Sequence, residues 1–300
     1  MADTVRLVEV GPRDGLQNEK QTIEPATKIE LIDRLSLCGL SVIEAGAFVS
    51  PKWVPQMAAS DTVFRGIAKR SGVTYPVLVP NMRGFETALG VGVREIAIFT
   101  AASETFSRKN TNATIDETFA RFAPLTRAAT DNDIKVRGYV SCVLGCPFEG
   151  EIDADTVAQV AGRLFDLGCY EISLGDTIGV GTFGGVRRLL SRVTQAVPAA
   201  HLAGHFHDTY GQALANIHAA LDAGLRVFDS SVAGLGGCPY APGATGNVAT
   251  EDCVYMLEKS GLTTGVDLDA LMRVSRWISQ TLHRTPQSRV TRAHAARIAS

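Results

Sequence analysis

The sequence predicts a (β/α)8 TIM barrel with a C-terminal helical extension. Three observations predict it. Short apolar, β-branched runs alternate with stretches of helical spacing. The unit recurs every ~30 residues, the length a strand–helix–strand crossover needs. Eight strand units occupy about 260 of the 300 residues, the usual size of such a barrel. A doubly wound open sheet is the runner-up, but no GxGxxG opens the first unit.

Taken in order, RLVEV (6–10) is the first strand, ended by Gly11-Pro12, with GPRDGLQNE as the loop after it. From Pro25 to Cys38 the apolar residues Ile29, Ile32 and Leu35 recur at helical spacing, and Gly39 stops the run. SVIEAG (41–46) is the second strand, with Glu44 near its end. TYPVLVPN (74–81) is the third, ended by Asn81 and followed by a short helix from Gly84 to Val91. REIAIFT (94–100) precedes a helix from Thr114 to Ala129, whose first turn carries Asp116 and Glu117, where negative charge suits the helix dipole. SRKNTN (107–112) reads as loop between them. KVRGYVS (135–141) leads to a helix over Asp153–Leu167, and CYEISLGD (169–176) to one over Thr182–Val197. HLAGHFH (201–207) leads to a helix from Tyr210 to Ala223, and LRVFDSS (225–231) to one from Ala249 to Lys259. LDALMRVSRWISQTL is an amphipathic helix that packs on the barrel. No linker divides the chain, so 1–300 is expected to be one domain, with the barrel over about 5–260 and the extension over about 265–300.

Composition excludes several classes. Hydrophobic content of 45% and charged content of 20% are those of a globular protein. Net charge is −2 with no basic block early or centrally, so a nucleic-acid surface is not indicated. The arginine-rich stretch 284–297 reads as a solvated tail or terminal helix rather than a binding patch. No apolar run of about 18 residues suggests a membrane span, and the start of the chain resembles neither a signal nor a transit peptide. The six cysteines lack zinc-type pairing, since Cys142 and Cys146 have no matching second pair. A cytoplasmic protein with free thiols is expected.

A barrel places its chemistry at the C-terminal ends of its strands. His205 and His207 are two apart on one strand, so both point to one face. Asp14 and Asn247 supply oxygen ligands at the same mouth. Two imidazoles, a carboxylate and an amide oxygen suit Mg²⁺, Mn²⁺ or a similar divalent ion better than structural zinc. Arg13 adjoins Asp14 and is a fixed cation for a developing oxyanion, the plainer reading being a surface ion pair. Cys238 lies in LGGCPYAPGATGN, a glycine-rich loop expected to close over substrate. A thiol there is a suitable acid or base near neutral pH. Cys142 and Cys146 are read as packing. Glu44 and Asp176 are open between metal ligation, orientation, base catalysis and a buried salt bridge. Asp208 and Thr209 cap the helix at Tyr210. His201, at the far end of its strand, is excluded from the site. Lys20, Lys52 and 107–112 lie on the mouth side, where an anionic acyl-CoA would need cations, although ordinary solvated lysines are the stronger reading.

These residues carry a resemblance. VEVGPRDGLQNEK (8–20), FVSPKWVPQM (48–57), RGYVSCVLGCPFEG (137–150), GCYEISLGDTIGVGT (168–182), HFHDTYGQALAN (205–216) and residues 229–257 resemble the 3-hydroxy-3-methylglutaryl-CoA lyases, among the DRE-TIM metallolyases. The likeness runs from about residue 5 to 285. It implies Asp14, His205, His207 and Asn247 as ligands of Mg²⁺ or Mn²⁺, and Arg13 as the arginine that stabilises an enolate. It implies Cys238 as the catalytic cysteine of the loop, with His205 and Asp14 assisting proton transfer. Glu44, Asp176 and Glu251 would support the site. Gln17, Lys20, Tyr139, Ser141, Asp176 and Thr177, with Arg13, would contact substrate. The implied partner is a small-molecule acyl-CoA, and the implied assembly a homodimer or higher homo-oligomer. Animal members carry a presequence and a C-terminal cysteine. Neither is seen here, so thiol control through the tail is not expected. The expected reaction is cleavage of (S)-3-hydroxy-3-methylglutaryl-CoA to acetyl-CoA and acetoacetate. A lyase for a related 3-hydroxyacyl-CoA, an acetyl-CoA/2-keto acid condensing enzyme and, more remotely, a non-catalytic acyl-CoA-binding barrel stay open.

Overall fold

The computed structural model describes residues 3–237 and 246–299. Its strands are β1 (Arg6–Glu9), β2 (Val42–Ile43), β3 (Gly46–Ala47), β4 (Val77–Leu78), β5 (Glu95–Ala101), β6 (Lys135–Ser141), β7 (Glu171–Asp176), β8 (Leu202–Phe206) and β9 (Val227–Ser230). They form one parallel sheet in the order β2-β1-β9-β8-β7-β6-β5-β4-β3. Its two ends, β2 and β3, are consecutive in the chain. β2 pairs with β1, and β3 pairs with β4. The sheet therefore closes on itself, and the architecture is the expected barrel.

The expected second strand is split, because its backbone changes partner. Glu44 N donates to Glu9 O at 2.9 Å, whereas Ala45 N donates to Pro76 O at 2.9 Å. Ladder bonding thus passes from one neighbour to the other at Glu44, which lies on the inner face where the barrel closes.

The outer layer holds α1 (Pro25–Leu35), α2 (Ser60–Gly66), α3 (Met82–Gly90), α4 (Glu104–Thr111), α5 (Ile115–Asp131), α6 (Ala154–Asp166), α7 (Phe183–Ala196), α8 (Ala213–Asp222) and α9 (Thr250–Lys259). α10 (Leu268–Thr281) and α11 (Arg289–Ala299) form the extension. Leu31, Ile32 and Leu35 of α1, Leu164 of α6 and Leu190 of α7 are buried against the sheet, in the main core. Each such side chain contributes about 1.5–3 kcal/mol. A smaller cluster, Val8, Val10, Val42, Ala203 and Val227, shares its strand faces with the barrel interior. No helix among the described residues is long and apolar enough to cross a membrane.

Four local expectations are corrected. The segment between the second and third strands contains α2, which has no clear amphipathic signature in the sequence. Residues 107–111 are helical within α4, because Ser103 Oγ accepts from Phe106 N at 3.1 Å and starts a turn that the polar sequence disguises. The helix expected from Tyr210 begins at Ala213. Asp208 reaches forward to accept from Ala213 N at 3.1 Å, but Thr209 Oγ1 is buried without a partner among the described residues, so Thr209 is not the cap. His201 lies in a 3-10 turn before β8, where its Nδ1 meets Tyr170 O at 2.8 Å, away from the mouth as expected.

Candidate active site

The site is built on the turn that ends β1. Residues Gly11–Gly15 wind into a π-helical turn in which the amides of Arg13, Asp14 and Gly15 all donate to Val10 O, at 3.2, 2.8 and 3.1 Å. Gly15 is required there, since a Cβ would lie 2.7 Å from Ser231 Oγ and 2.8 Å from Leu235 Cβ. Beneath it, the fully buried Glu9 accepts from Gly11 N (2.8 Å), Val232 N (2.9 Å) and Thr250 Oγ1 (2.6 Å). One carboxyl thereby ties the first and last βα loops together, and burial pushes its pKa up to about 7.

This turn presents Arg13 and Asp14 to the mouth. Arg13 Nε donates to Glu44 Oε2 at 2.7 Å and Nη1 to Asp14 Oδ1 at 2.8 Å, with the guanidinium 5.6 Å from the Tyr139 ring centre. Burial opposes the charge of Arg13, but Glu44 and Asp14 outweigh it and hold the cation firmly protonated. Glu44 is fully buried. Its burial raises its pKa against the pull of Arg13, and its Oε1 has no partner among the described residues.

Asp14, His205 and His207 converge, each offering a ligand atom, with these atoms all within 4.8 Å of one another. Asn247 joins them: its Nδ2 donates to Asp14 Oδ2 at 2.8 Å, and its backbone bridges to that of His207. Burial acts to raise the Asp14 pKa, but Arg13, His205 and His207 overcome it and keep it a carboxylate. Burial and the neighbouring His205 push His207 down to about 4, so it is a neutral imidazole with a lone pair. Its Nδ1 is buried with no hydrogen-bond partner among the described residues. A carboxylate and two imidazoles, one of which has a ring nitrogen unpartnered among the described residues, fit a divalent cation and its outer sphere.

Cys238 lies outside the described residues. The chain on either side of it is described and leads directly to the cluster. Asn18 Nδ2 donates to Gly237 O at 2.9 Å, and a Cβ on Gly236 would lie 2.8 Å from Asn247 Nδ2. Gly236 and Gly246 touch backbone to backbone, at φ +144° and +94°. Only glycine tolerates both the approach and the torsion.

A family model described as HMGL-like matches residues 4–278. The chain belongs to the HMGL-like family. A Pseudomonas aeruginosa relative named 3-hydroxy-3-isohexenylglutaryl-CoA/hydroxy-methylglutaryl-CoA lyase is 60% identical over 293 residues, covering 98% of each chain. The mitochondrial hydroxymethylglutaryl-CoA lyase of Macaca fascicularis is 60% identical over 289 residues, covering 96% of this chain and 89% of that one. The crystal structure of hydroxymethylglutaryl-CoA lyase from Pseudomonas aeruginosa matches with a TM-score of 0.96 at 59% identity, covering 99% of each chain.

On this HMGL-like barrel the candidates divide. Arg13, Asp14, Glu44, Tyr139, His205, His207 and Asn247 are brought together. Ser141 ends β6, half-buried. Gln17 is half-buried beyond the π-helical turn and Lys20 is exposed, and neither side chain hydrogen-bonds to another described residue. Asp176 accepts from the amides of Val180 (3.1 Å) and Gly181 (2.8 Å), so it shapes the loop after β7, with burial pushing its pKa up to about 6. Thr177 Oγ1 accepts from Cys142 N at 2.8 Å and joins two loops. Glu251 faces away from the cluster. It accepts from Ala233 N (3.0 Å) and Thr291 Oγ1 (3.0 Å), under the C-terminal helices, and burial pushes it up to about 7. Cys142 and Cys146 are buried, as packing requires.

Sequence reasoning missed the residues below the site. Arg137, Glu171, Ser173 and Asp229 line the barrel interior in hydrogen-bonded contact. The signal was available: Arg137, Tyr139 and Ser141 alternate along β6, as Asp229 and Ser231 do at β9, and period-two polarity marks an inward face.

Proposed function

We propose that this chain is a divalent-metal-dependent carbon–carbon lyase that cleaves (S)-3-hydroxy-3-methylglutaryl-CoA to acetyl-CoA and acetoacetate. The observation that carries the reading is the meeting of Asp14, His205 and His207 within 4.8 Å at the barrel mouth, with Arg13 hydrogen-bonded to Asp14. The near-full-length identity to lyases of that name supports the substrate.

Asp14, His205, His207 and Asn247 would hold Mg²⁺ or Mn²⁺, which when bound lowers the pKa of a hydroxyl group coordinated to it. Asp14, or a water hydrogen-bonded to it, accepts the proton of the tertiary hydroxyl. The C2–C3 bond then breaks, its electron pair passes to the thioester as an enolate, and the former hydroxyl carbon becomes the ketone of acetoacetate. Glu44 and Asp14 fix the Arg13 guanidinium through Nε and Nη1, and its remaining N–H groups donate to the enolate oxygen, so little reorganisation is needed as charge develops. Cys238 delivers a proton to the enolate carbon and releases acetyl-CoA, with His205 assisting proton transfer. Gln17, Lys20, Tyr139, Ser141, Asp176 and Thr177 are proposed to line the path of the acyl-CoA.

We treat 1–300 as one functional domain, because α9, α10 and α11 pack on one another and on the loop after β9. A cytoplasmic location is proposed on the sequence reading alone. Assembly into a homodimer or larger homo-oligomer is proposed on the resemblance alone, and light scattering tests it.

The function is tested by acetoacetate release from (S)-3-hydroxy-3-methylglutaryl-CoA with Mg²⁺ or Mn²⁺ and a thiol reductant, then with EDTA. Metal-dependent release is expected. No product with any divalent ion would overturn the reading. The name of the Pseudomonas aeruginosa relative favours a second reading, a broader range that includes longer acyl branches, and the isohexenyl analogue run in parallel tests it.

A further inference from the structure

The parallel register places Asp229 beside His205, since these two residues are Cα partners across β8 and β9. Both face inward, and Asp229 Oδ2 lies 3.1 Å from His205 Nδ1. Asp229 is itself surrounded by donors. Arg137 Nη2 donates to Oδ1 at 2.7 Å, while Arg137 Nη1 (3.2 Å) and Ser173 Oγ (2.7 Å) donate to Oδ2. Arg137 has no freedom to move away. Its Nε donates to Glu171 Oε1 at 2.8 Å, Nη1 also donates to Tyr139 Oη at 2.8 Å, and Glu171 in turn pairs with Arg6. Arg137 is 1% exposed and Asp229 1% exposed, so water does not compete for these bonds.

We propose that Asp229 is a positioning residue that sets the tautomer of His205, and that the inner chain Arg6–Glu171–Arg137–Asp229 exists to hold it there. The argument is one of donor and acceptor supply. A carboxylate beside a guanidinium only accepts hydrogen bonds. His205 Nδ1 must therefore carry the hydrogen that bridges to Asp229. Nε2 is then left with the lone pair and is the nitrogen His205 can offer beside Asp14 and His207. The bond also fixes the plane of the ring, as partners behind metal-binding histidines do. This deepens the metal-site reading and rests on it.

The experiment has two arms. In the first, ¹⁵N-histidine-labelled, metal-free wild-type protein is examined by long-range ¹H–¹⁵N correlation NMR at pH 8.5. The neutral His205 ring is expected to carry its proton on Nδ1, and a proton on Nε2 overturns the proposal. In the second, Mn²⁺ affinity is measured by calorimetry for wild type, Asp229→Asn and Ser173→Ala, each checked for native melting. Asp229→Asn replaces an obligatory acceptor by an amide that can turn its donor to Nδ1. Mn²⁺ binding should weaken about 10–100-fold. Ser173→Ala removes a donor to Asp229 but not the acceptor, so its affinity should stay within about threefold. A folded Asp229→Asn protein with wild-type affinity overturns the proposal. If Asp229→Asn does not fold, the wild-type tautomer decides. If wild type binds no Mn²⁺ at all, the metal-site reading fails, while the NMR arm still judges the pair.

Discussion

Replacing Arg13 by methionine tests stability and catalysis at one position. In the folded protein Arg13 supplies the hydrogen bond to Glu44 Oε2, and Glu44 Oε1 has no partner among the described residues. Glu44 is 0% exposed, so Arg13→Met leaves a buried carboxylate without its counter-ion. Breaking a buried pair in this way costs about 3–5 kcal/mol. The loss depends on pH. Burial already raises the Glu44 pKa and Arg13 restrains that rise, so removing Arg13 raises it further. A raised folded-state carboxyl pKa gives stability that is complete below the unfolded value and lost as pH rises through the folded one. The deficit of Arg13→Met relative to wild type should therefore widen from pH 5.5 to pH 8.5, read from urea melts. Turnover should fall by about 10²–10³, the loss of one preorganised donor to a developing oxyanion. Arg13→Met/Glu44→Leu separates the two effects, since an apolar pair of similar volume replaces an ion pair at little net cost. It should recover most of the stability and none of the activity. Acetoacetate release by the single variant within about threefold of wild type would refute the enolate role. A stability deficit independent of pH would refute the account of Glu44.

Three further outcomes are expected. Cys238→Ser should reduce kcat by orders of magnitude while calorimetric Mn²⁺ affinity stays within about threefold, and full activity would remove Cys238 from the acid role. Gly246→Ala meets the backbone of Gly236 and requires positive φ, a torsion costing about 1–2 kcal/mol for an L residue before the clash is counted. It should lower activity at least about tenfold, and wild-type kinetics would show that the close approach is not needed. Glu251 has a folded pKa of about 7, so the stability it contributes is present at acid pH and lost as pH rises through 7. Glu251→Gln should flatten the fall in stability between pH 5 and pH 8 by on the order of 1–3 kcal/mol, and an unchanged slope in urea melts would locate that titration elsewhere.

The upper rim of the site was legible in the chain because its signals are local. His205 and His207 are two apart on a strand, and that spacing alone puts them on one face. Arg13-Asp14 and Asn247 follow apolar runs, and a barrel gathers such positions at one mouth. The helix at Thr114 was legible for the same reason, since its capping box needs only four consecutive residues. Helix α4 was not, because its polar sequence has no apolar period, and it is secured by contacts such as Glu149 accepting from Thr105 N at 2.7 Å across 44 residues.

By itself, then, the sequence determined the alternation of strand and helix, the closure number of eight and the placing of His205 and His207 on one strand face. These depend on periodicity and spacing within one segment. Tertiary structure decided the rest. It split the second strand where the sheet closes and turned Glu251 away from the cluster to the C-terminal helices. It also set Asp229 under His205, with Arg137 and Glu171 behind. Those placements depend on which residues of separate strands share a level, and in a parallel barrel that level is set by the register between strands joined through long crossovers. The hydrophobic pattern of a single strand tells which face is buried, while the partner across the barrel exists only once the sheet has closed.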